Sequence, residues 1–171
     1  MPRSSTPLFT GRESVLQKMK DHLIRRGSDG RSIFVLYGMG GCGKSETAIK
    51  FVEQNRDSFW GIFWVNADKQ DTIKQDFANI AKACNISNTS IEDVKSWLAN
   101  QRSPWLLILD NCDSEDMDYS SLLPSGQSGS IVVTTRLRAC QTFGPFYDMD
   151  KLGHEASNSL LLRACGDKYH D

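Results

Sequence analysis

The sequence predicts an α/β fold built on a parallel β-sheet with helices packed on both faces. Short apolar runs rich in β-branched and aromatic residues alternate along the chain with longer segments of helical periodicity, and this alternation is typical of parallel sheets with crossover helices. A glycine-rich segment, GMGGCGKS, separates the first apolar run from the helical segment after it. Because ligands of such sheets bind beyond the carboxyl ends of the strands, we expect the functional residues at those ends.

Five apolar runs predict strands, which span residues 32–37, 59–65, 105–109, 131–135 and 146–149. The nearly continuous apolar character of the first two indicates burial on both faces. Apolar residues at helical spacing predict the helices, which span residues 11–26, 44–55, 73–84, 91–100 and 155–164. Ser90 precedes the fourth helix, with Asp93 three residues later, and is predicted to be its N-cap.

The composition is that of an ordinary globular protein. The 171 residues, 24% charged and 39% hydrophobic, suit one domain; we expect a tail over residues 1–10 and the domain over residues 11–171. The formal net charge of −1 provides no electrostatic basis for binding nucleic acid or an anionic membrane. No apolar run approaches the roughly 20 residues that span a bilayer, and the N-terminus lacks a secretory signal. Five cysteines without a CxxC pair predict reduced thiols in a cytoplasmic protein.

The glycine-rich segment matches the P-loop pattern G-x-x-x-x-G-K-[ST] and opens a predicted helix after a predicted strand. Its glycines allow successive N–H groups to face phosphate oxygens, and the helix adds the positive end of its dipole. Lys44 is predicted to reach the β- and γ-phosphates, and the Ser45 hydroxyl to bind Mg²⁺. The predicted nucleotide contacts in this segment are Gly38, Met39, Gly40, Gly41, Cys42, Gly43, Lys44, Ser45 and Glu46.

Cys42 lies among these inward N–H groups, near the helix start and Lys44. Each of these features stabilises a thiolate, so a reactive thiol is one interpretation. The alternative is a small filler side chain that points away from the phosphates.

Two more candidates lie at strand ends. Asp110 follows the run WLLIL, and beside a P-loop we expect its carboxylate to bind Mg²⁺ directly or through water; taken alone, an aspartate there is more often a turn or cap residue. Arg136 follows IVVTT, where a guanidinium suits a contact to the γ-phosphate. The alternative is a surface arginine, paired in sequence with Arg138.

Five segments follow one another along the chain: residues 9–13 (FTGRE), the P-loop, residues 63–68 (FWVNAD), residues 106–111 (LLILDN, the Walker B segment) and residues 132–136 (VVTTR). In this order they resemble the nucleotide-binding domain of the NB-ARC/STAND signalling ATPases, a family of plant disease-resistance proteins, animal apoptosome scaffolds and fungal NOD-like receptors. Their residues are most similar to those of the fungal members.

The resemblance implies a P-loop NTPase three-layer sandwich with a parallel five-stranded sheet, in which the VVTTR strand lies between the P-loop and Walker B strands. It implies adenine contacts from Phe9, Gly11 and Arg12, and it makes Arg136 the sensor arginine. It further implies an ATP/ADP switch that requires Mg²⁺. The partners it implies are the winged-helix and sensor regions of a full-length receptor, with nucleotide-dependent self-assembly. On this basis we expect the chain to be the nucleotide-binding core of a longer receptor or a much reduced homologue.

Asn111 departs from the family pattern, because many members carry a second acid after the Walker B aspartate. An amide cannot accept a proton, so we expect slow hydrolysis. A competing interpretation makes the nearby Asp113 the base. Two other functions stay open: an autonomous enzyme, such as a P-loop ATPase or a small-molecule kinase, and a nucleotide-gated scaffold without useful hydrolysis.

Overall fold

The computed structural model describes residues 4–24, 30–126, 128–149 and 154–165, without the side chains of residues 154–156 and 165. The strands are β1 (Ser32–Tyr37), β2 (Gly61–Asn66), β3 (Trp105–Asp110), β4 (Ser130–Thr135) and β5 (Phe146–Asp148). The helices are α1 (Glu13–Leu23), α2 (Lys44–Asn55), α3 (Gln70–Ala83), α4 (Ile91–Ala99) and α5 (His154–Cys165). Short 3-10 helices span Arg56–Ser58, Tyr119–Leu122 and Arg138–Phe143.

The five strands form one parallel sheet in the order β2-β3-β4-β1-β5. The strand that carries VVTTR therefore lies between the P-loop strand and the Walker B strand, as expected. The register pairs Tyr37 with Thr135, and Asn66 with Asp110. Because all the strands run the same way, the P-loop and the segments after β3 and β4 emerge at one edge of the sheet.

Helices cover both faces of the sheet, which confirms the three-layer α/β prediction. One apolar cluster joins α1 and α2 to alternate strand residues such as Leu106, Ile108 and Val132. The other joins α3 and α4 to the intervening residues, such as Leu107 and Leu109. Because successive strand residues point to opposite faces, the central strands β3 and β4 are buried along their whole length.

The strand β2 differs from the prediction of a strand buried on both faces from residue 59. It begins at Gly61 and lies at the edge of the sheet, where only Val65 of its six residues is buried. Phe59 follows a 3-10 turn, and its ring lies 6.5 Å from that of Phe51 in a tilted arrangement. Trp60 is 48% exposed. An edge strand has a neighbour on one side only, and its apolar sequence does not reveal this position.

The helix ends are close to those predicted. Ser90 is the N-cap of α4, because its hydroxyl accepts a hydrogen bond of 3.2 Å from the Asp93 amide. The helix α3 begins three residues earlier than expected, at Gln70. Residues 25 and 26, the predicted end of the first helix, lie outside the described residues. None of the helices in the described ranges is both long enough and apolar enough to cross a bilayer.

Candidate functional site

The P-loop connects β1 directly to α2. Gly41 and Gly43 have φ angles of 78° and 92°, in the left-handed region that favours glycine. At Gly38 the constraint is close packing, since an added Cβ would lie 2.8 Å from the Cys42 Sγ atom and 2.9 Å from the Met149 carbonyl oxygen. The loop therefore takes a shape that larger residues at these positions would oppose.

The Lys44 ammonium is buried at the centre of this loop, with 7% of the residue exposed. Its Nζ atom donates hydrogen bonds of 2.8 Å to the Gly38 carbonyl and 3.0 Å to the Met39 carbonyl. Among the residues that the structure describes, no carboxylate forms an ion pair with it. A buried charge balanced only by neutral carbonyls is costly, and an anion in the loop would relieve that cost.

Ser45 and Asp110 contact each other at the carboxyl ends of the strands. The Ser45 hydroxyl donates a hydrogen bond of 2.7 Å to the Asp110 Oδ1 atom, and the Thr134 hydroxyl donates one of 2.5 Å to the same oxygen. Asp110 is 7% exposed. Thr134 is a member of the site that sequence reasoning missed, although its place in the VVTTR segment was a signal.

This donor set fits Mg²⁺, which prefers hard oxygen ligands such as carboxylates. The Ser45 hydroxyl and the Asp110 carboxylate lie within hydrogen-bonding distance of each other beside the loop. Within the described ranges, no group of three or more His, Cys, Asp or Glu residues forms a complete protein cage for a metal. A Mg²⁺ ion here would therefore take its remaining ligands from phosphate oxygens and water, which is its usual behaviour.

Arg136 is held by Asp113, a partner that the sequence did not predict for it. The Asp113 Oδ1 atom accepts a hydrogen bond of 2.6 Å from the Arg136 backbone amide, and its Oδ2 atom accepts one of 2.7 Å from the Arg136 Nε atom. The Nη1 atom lies 3.9 Å from the point that a Cβ on Gly40 would occupy, so the guanidinium reaches the P-loop. The Arg138 guanidinium lies over the Tyr37 ring, 5.6 Å from its centre. Both arginines also line a second cavity of about 560 Å³.

Asn111 adopts a left-handed backbone conformation with φ of 63°, which asparagine tolerates better than most residues. Its backbone N–H donates a hydrogen bond of 3.0 Å to the Thr134 hydroxyl, and its side-chain Nδ2 atom donates one of 3.3 Å to the Asn66 Oδ1 atom. The side chain thus extends toward the end of β2. Asn66 was not predicted as part of the site, although the segment FWVNAD contains it.

A cleft of about 900 Å³ opens above the P-loop. Residues 38–42 form its floor, and Arg12, Tyr37, Arg138, Asp148, Met149 and Ser157 line the rest. The Arg12 Nη2 atom donates a hydrogen bond of 2.9 Å to the Cys42 carbonyl, which joins the FTGRE segment to the P-loop. Phe9, a predicted adenine contact, is not among the residues that line this cleft and packs against the apolar cluster of α1 and α2. Gly11, between them, has φ of 72°. Sequence reasoning did not identify Tyr37, Arg138, Asp148 or Met149.

The N-terminal segment, expected as a tail, is bonded to α2. The Glu46 carboxylate accepts a hydrogen bond of 2.9 Å from the Thr6 backbone amide. At least one oxygen of this side chain, which was predicted to contact the nucleotide, therefore faces the N-terminal segment. Glu53 accepts two bonds of 2.6 Å, from the amide and the hydroxyl of Ser5. These bonds from Ser5 lower the pKa of the Glu53 carboxyl, because they stabilise its charged form.

The cysteines whose side chains are described are free thiols. The Cys42 sulfur faces Gly38 and packs against the cluster of α1 and α2, which fits the filler alternative better than a thiolate exposed to phosphate. Burial raises the pKa of the Cys112 and Cys140 thiols, and it raises that of Cys84 as well.

Comparison with known proteins places this site in a family. The model of the NB-ARC domain matches residues 12–163. A nucleotide-binding leucine-rich repeat (NLR)-like protein of Hyaloscypha variabilis is 27% identical over 168 residues, which cover 84% of this chain and 17% of that protein. Disease resistance RPP13-like protein 4 of Arabidopsis thaliana is 26% identical over 153 residues, covering 78% of this chain and 18% of that protein. The chain thus spans less than a fifth of the length of either relative.

The fold is shared with a distant solved structure. The crystal structure of Cdc6p from Pyrobaculum aerophilum superposes with a TM-score of 0.58 at 17% identity, covering 94% of this chain and 46% of that one. At this identity the likeness shows a common fold alone. The family match covers most of the chain, from the GRE segment through the P-loop, the Walker B strand and the VVTTR strand to α5. The chain belongs to the NB-ARC domain family.

Proposed function

We propose that this domain binds ATP and ADP with Mg²⁺ and serves as the nucleotide-dependent switch of an NLR-type signalling protein. The observation that carries the proposal is the buried Lys44 ammonium, which has only neutral carbonyl partners within the described residues. A polyphosphate in the loop would supply the missing negative charge, and the backbone N–H groups at the start of α2 would bind its oxygens.

The metal end of the site rests on Ser45 and Asp110. Bound Mg²⁺ would neutralise charge on the β- and γ-phosphates. The Thr134 hydroxyl holds the Asp110 carboxylate by its Oδ1 atom, so this side chain is oriented before any ligand binds. Such orientation lowers the entropic cost of binding.

The nucleoside would occupy the part of the cleft lined by Arg12 and Met149. The volume of about 900 Å³ lies in the usual range for a nucleotide-sized ligand. Arg12 is fixed to the P-loop carbonyl of Cys42, which supports the expectation that the segment from Phe9 through Gly11 to Arg12 builds the adenine side. Phe9 would contribute by packing against the cluster of α1 and α2, which would hold this segment in place.

We infer that hydrolysis is slow. The Asn111 amide cannot accept a proton, and both carboxylate oxygens of Asp113 are bonded to Arg136. Neither residue is therefore a free base, and the loss of general-base assistance costs roughly 10²- to 10⁴-fold in rate. A long-lived ATP state suits a switch, in which bound nucleotide decides how this domain packs against neighbouring regions. Those regions, the winged-helix and sensor segments of a full-length receptor, are proposed partners, together with self-assembly in the ATP state; a cytoplasmic location stays a prediction.

The test is nucleotide binding by calorimetry with ATP, ADP and GTP, with and without Mg²⁺, on the chain and on Lys44→Met. Lys74→Met, which changes an exposed lysine of α3, is the matched control. We expect the chain and the control to bind ATP and ADP, and Lys44→Met to lose both. No measurable binding by the chain, or equal binding by Lys44→Met, would reject the proposal. Rapid multiple turnover with an added acceptor would instead favour an autonomous enzyme.

A further inference from the structure

The contact between Asp113 and Arg136 has an asymmetric geometry. Asp113 accepts one bond from the backbone amide of Arg136 and one from Nε, so it grips the arginine at its backbone and at the near end of its guanidinium. The Asp113 side chain is 12% exposed, whereas that of Arg136 is 56% exposed. The base of the arginine is therefore fixed and its outer end is open.

The grip on Nε leaves the two terminal nitrogens available as a fork. A guanidinium offers five N–H groups in a rigid plane, and Asp113 uses only the one on Nε. The Nη1 atom lies 3.9 Å from the Cβ position of Gly40, so the fork is next to the P-loop. Two parallel N–H groups match the oxygens of a phosphate.

The loop that carries Asp113 is hydrogen-bonded, through Cys112, to the end of the strand that precedes Arg136. The Asp113 backbone amide donates a hydrogen bond of 2.8 Å to the Asn111 carbonyl, within the loop. The Cys112 backbone amide donates one of 2.9 Å to the Thr134 carbonyl, at the end of β4. The Thr135 hydroxyl donates 2.5 Å to the Cys112 carbonyl. The loop after β3 is thus bonded to the end of β4, which sets the distance between Asp113 and Arg136.

We propose that Asp113 is a positioning residue that aims the Arg136 fork at the γ-phosphate and so sets the preference of this domain for ATP over ADP. The inference rests on the proposed nucleotide-binding function and deepens it. ADP lacks the γ-phosphate, so its binding depends little on the aim of Arg136. The carboxylate thereby acts through the arginine and does not serve as the base in hydrolysis.

Electrostatic repulsion alone predicts the opposite effect when the Asp113 charge is removed. An acid near the phosphates repels them, so removing its charge should strengthen ATP binding if Asp113 does nothing else. Asp113→Asn removes the charge and replaces one of the two acceptor oxygens by an N–H donor, so the side chain can no longer accept from both the backbone amide and Nε of Arg136. If Asp113 positions Arg136, ATP binding should weaken instead.

The experiment measures the Kd of ATP and of ADP, both with Mg²⁺, for the chain, Asp113→Asn, Arg136→Ala and the double variant. Asp116→Asn removes one charge from the same loop at an exposed residue and is the matched control. We expect Asp113→Asn to weaken ATP binding about tenfold, the effect of losing one well-aligned charged hydrogen bond. ADP binding should change little, and Asp116→Asn should not weaken ATP binding. When Arg136 is already alanine, Asp113→Asn should cause no further weakening, because only the repulsion by its charge is then removed.

Three results would overturn the inference while the chain still binds nucleotide: an unchanged ATP-to-ADP preference in Asp113→Asn, tighter ATP binding in that variant, or an equal effect in the Arg136→Ala background. If the chain binds neither nucleotide, the proposed function fails first. Should Asp113→Asn not fold, Asp113→Ser provides the same comparison, because a hydroxyl is too short to reach the amide and Nε together.

Discussion

The Ser45 hydroxyl donates a hydrogen bond of 2.7 Å to the Asp110 carboxylate, which joins the start of α2 to the end of β3. The strands that lead to these two residues are not neighbours, because β4 lies between them. The contact brings together the two oxygen groups that suit Mg²⁺, and the β4 residue Thr134 bonds to the same carboxylate oxygen.

Asp110→Asn should remove the Mg²⁺ dependence of ATP binding. An amide is a weaker ligand than a carboxylate for a hard cation, and it offers one oxygen in place of two. Adding Mg²⁺ should strengthen ATP binding about tenfold or more in the unchanged chain, and much less in the variant. Calorimetry with Mg²⁺ and with a chelator measures both values, and an equal Mg²⁺ effect in the two proteins would contradict the assigned ligand.

Lys44→Met should separate binding from stability. The change removes a buried charge that has only carbonyl partners and keeps most of the side-chain volume. Without nucleotide, the free energy of unfolding should stay the same or rise by about 1 kcal/mol. Urea denaturation without and with ATP tests this, because ATP should stabilise the chain and not the variant. A large loss of stability without ligand would mean that Lys44 holds the loop together.

Asn111→Asp should accelerate single-turnover hydrolysis by about 10- to 100-fold, since it provides a carboxylate where the amide cannot take a proton. Aspartate also tolerates the left-handed backbone at this position. The control is Asn111→Gly, which accepts the left-handed backbone and removes the bond to Asn66 without adding a base. If Asp113 were the base, Asn111→Asp would change little, and Asp113→Ala would slow the reaction at saturating ATP even when Arg136 is already alanine.

The contact between Ser5 and Glu53 should depend on pH. Since the pKa of Glu53 is lowered in the folded chain, the contact stabilises that state at pH values above the ordinary glutamate pKa. The stabilisation is lost as the pH falls through the lowered pKa. The Ser5 amide signal in two-dimensional NMR should therefore shift between pH 6 and about pH 3. Glu53→Gln should shift this signal at neutral pH, whereas Glu92→Gln, which changes an exposed residue of α4, should not.

The thiols should differ in alkylation. Cys112 and Cys140 are buried, with 0% and 3% exposure, and burial raises their pKa, so both should resist reagent until the chain unfolds. Cys84 is partly exposed and should react sooner, although its raised pKa shifts its reaction to higher pH than that of a free thiol. Peptide mass spectrometry over time distinguishes the sites, with labelling in denaturant as the reference.

Local chemistry explains what the sequence predicted correctly. The P-loop is recognisable because phosphate binding needs glycines, a lysine and a hydroxyl at fixed spacing within eight residues. The central strands were recognisable because a strand buried on both faces must be apolar throughout. Their order came from the family resemblance, not from periodicity, and the sheet confirms it.

The sequence by itself determined the fold class, the P-loop and the strand ends where the candidate residues lie, because these depend on residues close together in the chain. Only the tertiary structure decided that β2 is an edge strand, that Thr134 bonds to Asp110, and that Asp113 grips Arg136. These pairs lie 23 and 24 residues apart, and no periodicity links them. Their meeting depends on strand order and register, which the packing of both apolar layers sets for the whole sheet at once.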